Sequence, residues 1–150
     1  MVSDEDDGRS RSMTDSRWDS TALRAGALLA LVIAVPAWIG ASWSMERQSF
    51  TLNALFTLAA LIGFVLGAAC SAWIQQRSYP LAHGVATAVG TYIAVQVIVS
   101  TYRVIMGTGV NMFSILLFTT VAAVAGLIGG VLGSRMRRLG FVPSSQRRLP

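Results

Sequence analysis

Residues 50–74 read FTLNALFTLAALIGFVLGAACSAWI, an unbroken run with no charged side chain. As a helix rising 1.5 Å per residue it covers about 37 Å, more than the hydrocarbon thickness of a bilayer. Such a run is a membrane span, and its surplus length implies tilt or an overhang at either end. Everything else in the chain is read relative to it.

Three more uncharged blocks flank this one. Upstream, a span over about 22–43 contains a charge-free stretch from Ala25 to Trp43 that covers roughly 28 Å as a helix, again enough to cross. Pro36 removes one helix hydrogen bond there and is expected to kink the outer half, which a helix among neighbours tolerates. Trp38 and Trp43 fall where aromatic rings collect at the interface. Downstream, a third span occupies about 80–102, with Ser78 as its expected N-cap and Pro80 in its first turn. A fourth occupies about 110–134, after a reversal that contains Gly107 and Gly109. The fold class is all-α: a polytopic membrane protein with four transmembrane helices in an up-down bundle, occupying residues 21–138.

Composition agrees. Hydrophobic residues make up 53% and charged residues 13% of the chain, where soluble domains carry about a quarter charged. Residues 1–20 are acidic, Arg/Ser-rich and poor in aliphatics, so they cannot bury enough apolar surface to offset the entropy of ordering and are expected to form a disordered cytoplasmic tail. Residues 139–150 form a second cytoplasmic tail. The single Cys70 forms no intramolecular disulfide.

Orientation follows from arginine, because the chain has no lysine. Alternating spans place Arg9, Arg11, Arg17, Arg24, Arg77, Arg135, Arg137, Arg138, Arg147 and Arg148 on one side and only Arg47 and Arg103 on the other. The arginine-rich side is cytoplasmic by the positive-inside rule. Both termini are then inside and the turns at 44–49 and 103–109 outside, as expected for a multi-pass protein of the cell membrane. Arg135, Arg137 and Arg138 follow the last span directly, where anionic membrane lipid attracts them. No nucleic-acid partner is expected, because no basic face alternates with aromatics on a soluble domain.

Small residues recur every fourth position. Gly63, Gly67 and Ser71 do so in the second span; Ala125, Gly129 and Gly133 share one face of the fourth, with Gly126 and Gly130 beside it. Rows of this kind let helix backbones approach closely in lipid. Packing within the bundle is the first reading, and a homo-oligomer or membrane-protein interface the functional one. The second and fourth spans also echo each other at an offset of 62 positions, pairing Leu55-Phe56-Thr57 with Leu117-Phe118-Thr119 and Gly67 with Gly129. Two similar hairpins would produce such an echo.

Chemistry-bearing residues are sparse. No Asp, Glu, Lys or Arg lies near the centre of any span, so a carrier built on a membrane carboxylate is not expected. One His and one Cys do not supply the three or four ligands of a metal site. No nucleophile stands beside an orienting base, so neither catalysis nor a cofactor is expected. Asn53 and Gln96 would form a polar pathway only if both faced one cavity.

His83-Gly84 opening the third span, Gln96 within it, Arg103 after it, then Gly126-x-x-Gly129-Gly130-x-x-Gly133 and arginines, resemble the pattern in small four-span membrane proteins of GC-rich, actinobacterial-like bacteria. The resemblance covers about residues 80–138. It implies the architecture and no particular activity. The expected function is therefore a non-catalytic membrane component associating through Gly/Ala helix faces, with an oligomeric pore or facilitator for a small solute as the alternative.

Overall fold

In the computed structural model, which describes residues 18–75, 79–107 and 109–141, four helices run back and forth: α1 (Ser20–Glu46), α2 (Phe50–Ile74), α3 (Pro80–Ile105) and α4 (Met112–Arg138). Each is long and apolar enough to cross a membrane. Expected boundaries and observed ones agree within a few residues, and the α2 limits coincide. The expected cap Ser78, most of the N-terminal tail and residues 142–150 lie outside the described residues.

Local chemistry sets the ends. Asp19 precedes α1 in extended backbone, and its carboxylate accepts from the Thr21 and Ala22 amides. Asn111 does the same for α4, accepting from the Ser114 amide at 3.1 Å. Both satisfy donors that a helix start leaves orphaned. Pro80 opens α3, where its missing N–H costs nothing. Gly107 turns the chain at φ +69°, a conformation that L side chains rarely adopt. Helix α1 continues through Pro36 to Glu46.

Around the bundle the helices follow the order α1, α2, α4, α3. Helix α2 also touches α3, and among the described residues α1 and α4 do not meet. Side-chain size is sorted radially. The interior holds Ala22, Ala30, Ala68, Ala72, Ala88 and the glycine rows, while Leu, Ile, Val and Phe point outward, Phe50 being 87% exposed. In water that surface would drive aggregation; against acyl chains it is solvated, and close approach of small residues holds the helices together.

Within each hairpin the helices come closest at a glycine pair. A Cβ on Gly26 would stand 2.5 Å from the Gly67 carbonyl oxygen, and one on Gly67 2.5 Å from that of Gly26. The Cα hydrogens in those directions therefore face carbonyls, a contact worth about 0.5–1 kcal/mol each. Gly84 and Gly126 repeat the arrangement between α3 and α4, and Ala30 and Ala88 lean on the two glycines correspondingly. Gly67 and Gly129, which the 62-residue echo aligns, face different neighbours: Gly67 meets α1, whereas Gly129 meets α2 at Val65 and Ala68.

Candidate functional site

All the glycine contacts just described lie in the half of the bundle that contains the start of α1, the end of α2, the start of α3 and the end of α4. This terminal half is also tied by polar contacts. His83, 1% exposed, accepts the Asp19 amide at Nε2 (3.0 Å) and donates from Nδ1 to the Tyr79 carbonyl (2.9 Å), with the Trp18 ring 5.2 Å away. Accepting at Nε2 and facing a carbonyl at Nδ1 fixes the neutral Nδ1–H tautomer. Thr87 Oγ1 donates to the His83 carbonyl. Arg137 donates to the Gln75 carbonyl and Trp73 Nε1 to that of Phe141, binding the end of α2 to the end of α4.

The opposite half, toward the two hairpin turns, is hollow. Helices α1 and α3 approach each other at Gly26 and Thr87 in the terminal half. The space left is a cavity of about 790 Å³ lined by all four helices. From α1 come Val35 and Trp38, from α2 Asn53, Phe56, Thr57 and Phe64, from α3 Tyr92, Gln96 and Arg103, and from α4 Ser114 and Phe118. Phe64 and Tyr92 meet edge to face at 6.4 Å on the side nearest the glycine contacts, giving the cavity an aromatic floor. Tyr92 donates to the Ile115 carbonyl at 3.4 Å.

Asn53 and Gln96 thus line one cavity, as a polar pathway requires. Asn53 Oδ1 accepts from Thr57 Oγ1 at 3.3 Å, leaving its amide nitrogen for another partner. No hydrogen bond joins the Gln96 carboxamide to another described residue. An amide left unpaired at membrane depth carries a desolvation cost of order 1–3 kcal/mol that a bound partner or water would offset.

The small-residue rows have a different place. On α2, Gly63 and Gly67 abut α1, and Ser71 Cβ lies against Gly26. On α4, Gly126 and Gly130 abut α3 at Val85 and Leu81, while Gly129 and Gly133 abut α2 at Ala68 and Ala72; Ala125 is buried on the face shared with Gly129 and Gly133. The unusual width of the α4 pattern has its cause here, because α4 is wedged between two neighbours. A matching row on α1, Ala22-Gly26-Ala30-Ala34, escaped the sequence reading although its four-residue spacing is equally plain. Arg103 escaped as a cavity residue too; its position two helical turns beyond Gln96 was the available signal.

Among the described residues no group of three or more His, Cys, Asp and Glu side chains converges on a metal position. The arrangement defines a class: a four-helix membrane bundle, closed at the terminal half and hollow toward its hairpin turns. Comparison with known proteins finds no family model, no curated protein and no solved structure that matches the chain.

Proposed function

We propose that this chain is a non-catalytic protein of the cell membrane that binds a small, largely apolar molecule in the hairpin-side cavity, its Gly/Ala faces serving to build the bundle around that cavity. The observation that carries this reading is the convergence of Asn53 and Gln96 on one space of about 790 Å³ with apolar walls. Small-molecule sites combine that volume range, about 300–1,000 Å³, with a few polar groups in a mostly apolar lining. His83, the residue most suited to acid–base chemistry, has both ring nitrogens engaged by backbone groups, which favours a structural role for it.

The arginine distribution supports an orientation with both termini cytoplasmic and the cavity facing the outer leaflet. Native mass spectrometry of the full chain released from nanodiscs tests the binding reading. A defined small mass should be retained by the native protein and lost from Ala60→Phe, because Ala60 of α2 lines the cavity and a ring there fills it. Identical bare spectra for the two proteins would contradict it.

A facilitator for a small solute is the second reading, favoured by the polar side chains Asn53, Thr57 and Gln96 along the cavity. The glycine contacts of the terminal half would then have to open, or several copies would have to share a path. Under this reading Asn53→Leu and Gln96→Leu abolish solute flux in reconstituted vesicles; unchanged flux removes both residues from any such route.

A further inference from the structure

The cavity is polarised along its length. Its floor is the Phe64–Tyr92 pair and its walls are mostly apolar, whereas Arg103, the one charged residue lining it among the described residues, stands at the end next to the hairpin turns. Gln96 lies on the same face of α3, seven residues or about 10 Å deeper. A positive group at the mouth, an uncharged amide below it and an aromatic floor form a gradient from headgroup chemistry to chain chemistry.

The wall between α1 and α3 is open sideways. Trp38 and Ile98 line the cavity from these two helices, yet they remain 46% and 70% exposed. In a bilayer such a gap faces acyl chains, so the molecule best placed to enter is one already dissolved in the membrane. Arg103 lies within the last turn of α3, at the depth of an interface, so an anionic headgroup can reach it without leaving the interfacial layer.

We propose that the cavity takes an amphiphile with one anionic headgroup and a single apolar chain, the class of a long-chain carboxylate, its headgroup on Arg103 and its chain running toward Phe64 and Tyr92. This deepens the binding reading above and depends on it. A guanidinium carries five donors in a planar fork, so it can hold a carboxylate through two of them while keeping other contacts. Its fixed positive charge disfavours cationic amphiphiles. The volume, within the range of sites for single drug-sized molecules, suits one chain rather than two.

The test uses the full chain in nanodiscs of zwitterionic lipid, at a pH where the acid is ionised, with a brominated long-chain fatty acid as quencher of tryptophan fluorescence. The expected result is saturable quenching that Trp38→Phe diminishes and Ala60→Phe abolishes. The methyl ester of the same acid should bind about tenfold or more weakly, as should the acid to Arg103→Gln, because a charge-assisted hydrogen bond is lost. Arg103→Lys should recover part of the affinity. Acid and ester saturating alike, with no effect of Arg103→Gln, would overturn the anionic class while leaving the cavity reading intact. Quenching by either compound that never saturates and ignores Ala60→Phe would overturn both. Because acid and ester are compared on the unaltered protein, the proposal stays falsifiable even where Arg103→Gln fails to fold.

Discussion

Gly133 and Gly90 are the same residue type on two helices of one bundle, and their surroundings give substitutions there opposite signs. A Cβ at Gly133 would collide with the Ala69 carbonyl oxygen and approach Ala72 Cβ to 2.9 Å, whereas a Cβ at Gly90 meets nothing within 4 Å. Gly133→Leu should therefore push α4 off α2 and destabilise the fold by about 1–3 kcal/mol or more, the usual cost of overpacking. Gly90→Ala should be neutral or stabilising by up to about 1 kcal/mol, since alanine loses less backbone freedom in a helix. Thermal unfolding in detergent, followed by helical circular dichroism, separates the two; equal losses at both positions would refute the contact geometry. At this scale the sequence was legible for glycines at regular spacing and less so for their partners. A Gly-x-x-x-Gly row says that a backbone comes close, but not which helix supplies it, and for α4 the answer is two different helices.

Among the elements, helix existence was legible because a charge-free run of about twenty residues has few other outcomes. Ends were harder. The observed helices extend past the apolar cores to Glu46, Ile105 and Arg138, because helices continue through charged residues until a turn interrupts them, such as the one at Gly107 with φ +69°. Capping fixes the starts, and Asn111 offers a clean case. Its carboxamide oxygen holds the Ser114 amide at the mouth of α4. Asn111→Ala should lower stability by about 1 kcal/mol while Asn111→Asp retains most of it, as is usual for N-caps. Hydrogen exchange at the first turn of α4 reports this directly, and unchanged protection in the alanine variant would show that the cap contributes nothing. Pro36 is a contrasting lesson: α1 runs through it without a break, so a residue that often ends helices in water marks no boundary here.

At the scale of the whole molecule, size sorting along the helices creates function's opportunity. Small side chains in the terminal half close the bundle, with Gly26 on Gly67 and Gly84 on Gly126, while Phe56, Phe64, Trp38 and Phe118 line the cavity in the other half. That the polar residues Asn53 and Gln96 would meet was stated in the sequence only as a condition. Their helices are consecutive in the chain but belong to different hairpins, and the packing order α1, α2, α4, α3 determines what lies between them. Arg103 was visible as an orientation marker, and its spacing placed it on the Gln96 face of α3, but which way that face turns came only from the packing.

The central claim is this asymmetry, and the most direct measurement of it is a cysteine scan down one helix. In a background with Cys70→Ser, single cysteines are placed along α3 from residue 84 to residue 103 and the reconstituted protein is treated with a small polar thiol reagent from each side. The account requires labelling at the Arg103 and Gln96 positions from the hairpin side, and protection of positions 84, 87 and 88 from that side, where Gly84, Thr87 and Ala88 are buried in the structure. Uniform protection from 96 to 103, or labelling from the hairpin side that continues through 88, would contradict a bundle that is hollow at one end and closed at the other.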